Sequence, residues 1–202
     1  MTEQRPALFL DRDGVINVDH GYVCSPERTE FIDGIFDLVR LANRQGYLVV
    51  VITNQAGIAR GFYSESDLRA YMAWMGHQFE RHGSWIDAVY YCPHHPTAGN
   101  TEYSVACTCR KPAPGMILAA QRNLGVDLAA SIMLGDKPSD MAAGKAAGVG
   151  QCILVDNATQ LIGGAAGRFD EARHVLETSS LERAWPEHSR RPPRISTAFE
   201  TP

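Results

Sequence analysis

The chain has 202 residues, enough for one buried core with a modest insert and too few for two large domains. It is 45% hydrophobic and 21% charged, has no apolar run near the ~20 residues a membrane span needs, and starts with a short polar segment unlike a secretory signal. A soluble cytoplasmic protein is expected. With 19 basic and 23 acidic side chains the formal charge is −4, which gives no electrostatic footprint for nucleic acid and favours a small-molecule ligand.

In chain order, Ala7–Leu10, Tyr47–Ile52, Ile86–Tyr91, Ile132–Leu134 and Cys152–Val155 are short apolar runs of the kind that form buried parallel strands. Helical spacing lies between them: Ile35, Leu38, Val39 and Ala42 before Gly46; Leu68, Tyr71, Met72, Met75 and Phe79 after an N-cap at Ser64; Ile117, Ala120 and Leu124 before Gly125. Alternating strand and helix predicts an α/β, doubly wound (Rossmann-like) parallel sheet with its site at the carboxyl ends of the strands. Residues 17–33 and 92–114 break the alternation and read as loops near that site, with no large cap domain. One domain is expected over residues 1–185, followed by a mobile tail over 186–202 that is polar and without periodicity. A monomer is the default for a chain of this size without a coiled-coil pattern.

Polar groups collect at the strand ends. Asp11 and Asp13 follow the first strand, Thr53 and Asn54 the second, Asp136 and Asp140 the fourth, and Arg110-Lys111 precedes a proline-started helix. Two carboxylates as close as Asp11 and Asp13 are stabilised by a shared cation or by a proton on one of them. Each group alone has an ordinary explanation: an Asx turn for Asp13 or Asn54, a helix cap for Asp140, surface charge for Lys111. Together they suit a phosphate and its metal.

A second constellation lies in the 92–114 loop. Cys92-Pro-His94 and Cys107-Thr-Cys109 are two short ligand pairs separated by twelve residues, able to close a Cys₃His tetrahedron around a structural Zn²⁺. His95 competes with His94 for the fourth position, and buried thiols or a redox pair are the alternatives. Such a clamp would fix Arg110 and Lys111, which follow it directly.

Asp11-Arg-Asp-Gly-Val15, Thr53-Asn54, Lys111 and Gly135-Asp-Lys-Pro-Ser-Asp140 resemble the four ordered motifs of the haloacid dehalogenase phosphatases. The resemblance implies Asp11 as nucleophile, Asp13 as general acid and base, and Thr53 and Lys111 on the transferring phosphoryl group. It further implies Mg²⁺ held by Asp11, Asp136 and the backbone carbonyl of Asp13, with Asp140 in support. The zinc loop resembles the subgroup acting on histidinol phosphate and on heptose bisphosphates. Likeness to the second is closer and runs to about Val155, through Asp19-His-Gly-Tyr-Val23, Thr53-Asn-Gln-Ala-Gly-Ile-Ala-Arg-Gly61, Tyr91-Cys-Pro-His-His-Pro96 and Cys107-Thr-Cys-Arg-Lys-Pro112. It implies a sugar bisphosphate substrate, with Arg110 gripping the distal phosphate and Asp19, Gly21, Tyr22, Asn54, Gln55 and Lys137 as further substrate contacts. From a different class, a non-catalytic zinc-binding interaction module would be expected to lack one of Asp11, Asp13, Lys111 or Asp136; all four are present.

Overall fold

The structure, a computed structural model, describes residues 4–99, 102–155 and 168–178, together with the backbone of 194–197. The strands are β1 (Arg5–Leu10), β2 (Leu48–Asn54), β3 (Ala88–Cys92), β4 (Val126–Gly135), β5 (Gln151–Leu154) and β6 (Arg194–Thr197). They form one sheet in the order β5-β4-β1-β2-β3-β6, and every pairing is parallel. The helices are α1 (Ile35–Arg44), α2 (Ala56–Ala59), α3 (Glu65–Arg81), α4 (Gly115–Leu124), α5 (Pro138–Ala147) and α6 (Asp170–Thr178).

Because successive strand residues face opposite sides, each strand feeds two cores. Leu8, Leu10, Val49, Val51, Val89 and Leu134 pack on one face with α1, α3 and α6, while Ala7, Phe9, Val50, Ile52, Ala88 and Met133 pack on the other with α4 and α5. A sheet covered on both faces explains why its strands read as unbroken apolar runs. The periodic helices fall where the spacing placed them. Ser64 caps α3 by accepting from the Asp67 amide, and Asp67 accepts in return from the Ser64 amide.

Three features depart from the sequence reading. β4 begins at Val126, six residues before Ile132, and its pairing with β1 shifts register between Pro6 and Leu8. The helix α6 buries Ala172 and Leu176 in the core beside α1. Within the segment expected to be a mobile tail, 194–197 pairs with β3 as an edge strand; the rest of 186–202 lies outside the described residues.

The topology positions the site. From β1 the chain builds outward through β2 and β3, then returns to the other flank of β1 with β4 and β5. The order therefore reverses beside β1, and a crevice opens at the carboxyl end of such a reversal. Asp11 follows β1 there, and Asp136 follows β4.

Candidate active site

Asp11, Asp136 and Asp140 each bring a carboxylate oxygen within 4.8 Å of the others. Lys111 extends from the far side of the crevice, its Nζ 2.9 Å from Asp11 and 2.6 Å from Asp140, and donates to the Ile52 carbonyl at 3.0 Å. Burial raises the pKa of Asp11; Lys111 opposes that shift, and Asp140 adds to it. Three carboxylates around one buried ammonium leave an excess of negative charge, and this all-oxygen donor set suits a hard divalent cation such as Mg²⁺. Asp140 also accepts from the Lys137 amide at 3.0 Å, so it is both the cap of α5 and a member of the cluster.

Gly14 explains how Asp136 comes so close to the Asp11 turn. Its φ is +88°, and a Cβ there would lie 2.1 Å from Asp136 Oδ2, so any side chain would displace the carboxylate.

Asp13 lines the cleft, and its carboxylate is held from behind. Oδ2 accepts from Arg12 at 2.5 Å and from Gln55 at 3.3 Å, and Oδ1 accepts from Asn17 at 3.1 Å. Gln55 also donates to Thr53 Oγ1 at 2.7 Å and accepts from the Tyr63 hydroxyl at 2.6 Å. Arg12 is fully buried. Desolvation opposes its charge, but the adjoining Asp13 carboxylate outweighs that effect and raises its pKa.

The cleft above these groups has a volume of about 570 Å³. Asp11, Asp13, Asp19, Gly21, Tyr22, Thr53, Asn54, Arg110, Lys111, Lys137 and Asp140 line it. Gln55, read as a substrate contact, is 1% exposed and sits beneath the cleft as a brace for Thr53 and Asp13. Asn54 reaches the wall, but both ends of its amide engage the Lys111 backbone, at 3.1 and 3.0 Å. Asp19 makes an Asx turn to the Gly21 amide and an ion pair with Lys137 at 3.1 Å. Arg60, Tyr63, His95 and Ser139 also line the cleft. Arg60 stood in the Thr53–Gly61 motif without an assigned role and Tyr63 just beyond it; both lie past the strand-end positions, on the segment between α2 and α3, where periodicity marks nothing.

The second constellation also assembles. Cys92, His94, Cys107 and Cys109 present ligand atoms within 4.8 Å of one another. The sulfur separations are 3.6 Å for Cys92–Cys107 and 3.3 Å for Cys107–Cys109, and His94 Nδ1 lies 3.8 and 3.7 Å from the sulfurs of Cys92 and Cys109. A tetrahedral ion with bonds of about 2.3 Å sets its sulfurs ~3.8 Å apart, close to these spacings. Hydrogen bonding, first from Cys109, lowers the Cys92 pKa to about 6, while the Cys109 thiol is pushed up by the same pairing. His95 takes no part. Its Nδ1 accepts from the amides of Thr97 and Ala98 at 3.3 and 3.0 Å.

A carboxylate at the reversal point of a parallel sheet, with a buried lysine and a second carboxylate pair, is the arrangement of an α/β phosphohydrolase site. Comparisons with known proteins agree. The HAD-hydrolase-like family matches residues 108–163. The D-glycero-beta-D-manno-heptose-1,7-bisphosphate 7-phosphatase of Vibrio cholerae is 52% identical over 75% of this chain and 81% of its own length. The D-glycero-alpha-D-manno-heptose-1,7-bisphosphate 7-phosphatase of Burkholderia mallei is 54% identical over 74% and 79%. Among solved structures, a haloacid dehalogenase-like phosphatase from Mesorhizobium loti superposes with a TM-score of 0.78 at 35% identity over 87% of each chain. The D,D-heptose 1,7-bisphosphate phosphatase of B. bronchiseptica, complexed with magnesium and phosphate, superposes at 0.66 with 30% identity over 95% of this chain and 92% of that one. The chain belongs to the haloacid dehalogenase-like phosphatases, in the group of the heptose-bisphosphate phosphatases.

Proposed function

We propose that this protein hydrolyses the 7-phosphate of D-glycero-D-manno-heptose 1,7-bisphosphate through an aspartyl-phosphate on Asp11, releasing the 1-phosphate and inorganic phosphate. The observation that carries the chemistry is the meeting of Asp11, Lys111 and Asp140 beneath the cleft, with Asp136 alongside. The substrate rests on the relatives named for it. The product would feed the formation of nucleotide-activated heptose, a cytoplasmic route.

Asp11 attacks phosphorus, and Asp13 protonates the leaving oxygen and later takes a proton from the attacking water. Thr53 and Lys111 hold the phosphoryl oxygens. Arg12, Asn17 and Gln55 fix the orientation of Asp13 during both half-reactions. Asp11, Asp136 and the Asp13 carbonyl, supported by Asp140, would hold Mg²⁺, whose charge offsets the repulsion between carboxylate and phosphate. Cys92, His94, Cys107 and Cys109 would hold a structural Zn²⁺ that braces the loop leading to Arg110 and Lys111. Within the cleft, Asp19, Gly21, Tyr22, Arg110 and Lys137 are the substrate contacts.

Similar relatives carry names for opposite anomers, so the test uses both. Magnesium-dependent phosphate release is measured from the α and β 1,7-bisphosphates beside histidinol phosphate, with Asp11→Asn as blank. Preference for one heptose anomer, abolished in Asp11→Asn, is expected. Preference for histidinol phosphate would keep the mechanism and overturn the substrate, whereas turnover by Asp11→Asn would overturn the nucleophile.

A further inference from the structure

The charge pairing of the cleft is uneven. Of its four lining cations, Lys111 is committed to Asp11 and Asp140, and Lys137 pairs with Asp19 at 3.1 Å and more loosely with Asp136 at 3.7 Å. Arg110 donates to the His94 carbonyl at 3.1 Å and has no carboxylate partner among the described residues. Arg60 has neither a carboxylate nor a carbonyl partner for its guanidinium among them; that group lies over the Tyr22 ring, 5.9 Å from its centroid. Two guanidiniums on the wall of one cleft, without counter-charge among the described residues, are matched by an anion that a ligand brings.

The placement of Arg60 is built in. Its amide closes α2 on the Ala56 carbonyl at 3.1 Å. The metal-binding loop lies directly on that helix end: a Cβ at Gly99 would come within 1.8 Å of the Ala59 carbonyl oxygen, so the loop backbone seats on the residue before Arg60. From the other side, Tyr22 holds a φ of +50° and packs against Phe62 with centroids 4.7 Å apart. Both rings are substantially exposed, at 41% and 62%, and they form an aromatic support between the 17–33 loop and the segment carrying Arg60.

We infer that Arg60 is a specificity-determining residue which, seated on Tyr22, forms with Arg110 a two-guanidinium receptor for the non-reacting phosphate of the bisphosphate substrate. This rests on the bisphosphate reading above. Lys111 serves the phosphate undergoing transfer, leaving Arg60 and Arg110 to the distal one. A monophosphate of the same sugar forfeits both contacts and is discriminated against by binding.

The test is the ratio of kcat/KM for heptose 1,7-bisphosphate to that for heptose 7-phosphate, measured with the metal-loaded wild-type protein, R60Q and R60K. In R60Q the ratio falls by about 10- to 100-fold, the loss of one charge-assisted contact, and the fall is in KM for the bisphosphate rather than in kcat. R60K recovers part of it, keeping the charge without the planar fork. Inhibition by heptose 1-phosphate, which carries only the distal group, weakens in parallel. A wild-type preference for the bisphosphate that R60Q retains in full overturns the assignment alone. A wild-type ratio near one removes the bisphosphate reading, and this inference with it.

Discussion

Lys111 and Arg12 are both buried cations beside carboxylates, yet only one of them was readable in the sequence. Lys111 stood in a motif at a helix start, where its chemistry was expected. Arg12 lies between two aspartates, and nothing in its spacing shows that its guanidinium turns inward to Asp13 and over the Tyr71 ring, 5.3 Å from the centroid. Strand ends announce which residues face a crevice, but not which ones support it from below. The same limit hid the burial of Gln55. For Lys111 the consequence is measurable: Lys111→Ala leaves Asp11 and Asp140 buried without a counter-charge, at a cost of roughly 3–5 kcal/mol in the metal-free protein. In the proposed mechanism Lys111 also donates to the transferring phosphoryl group, so kcat is expected to drop by at least ~100-fold. Steady-state kinetics and denaturant unfolding check the two effects separately, and wild-type kcat would mean that Lys111 does not touch the reacting group.

At the scale of elements, the strands and long helices were legible because a sheet covered on both faces demands continuous apolar runs and because Ser64 and Gly125 punctuate α3 and α4. The start of β4 was obscured by Ala129 and Ala130, exposed small residues that interrupt its apolar pattern. Besides the Asn54 latch at Lys111 and the seat of Gly99 on Ala59, two side-chain clusters tie the loop from Cys92 to Lys111 to the body. One is the Cys/His cluster. The other is Glu65, on the first turn of α3, which accepts from the Tyr91 and Tyr103 hydroxyls at 2.5 and 2.8 Å. Spacing predicted the first tie and could not predict the second, which joins residues 26 and 38 positions apart. Cys107→Ala is therefore expected to lose bound zinc and lower the melting temperature while the sheet persists, because Glu65 still anchors the loop. Metal analysis with circular dichroism checks this, and unchanged zinc content would remove Cys107 from the ligand set.

For the molecule as a whole, the reversal of strand order beside β1 gathers carboxylates from two neighbouring strands, and stability becomes linked to pH and to metal. Burial raises the Asp11 pKa above its usual 3.8, so only between that value and the raised one does the metal-free folded protein hold a proton there that the unfolded chain releases. Its stabilising contribution is complete below the usual value and is lost as pH climbs through the raised one. A cation favours the ionised carboxylate, so the rise in melting temperature on adding Mg²⁺ is expected to be larger at pH 7 than at pH 5. Equal rises at both pH values would place the ion elsewhere.

The reciprocal pair between Asn54 and the Lys111 backbone carries a consequence for how such a protein diversifies. Lys111 is latched to β2 from across the crevice, so the reacting end of the site does not depend solely on the loop that precedes it. In the proposed mechanism, the loop that carries Arg110 could therefore be altered by insertion or exchange while Lys111 keeps its alignment with Asp11.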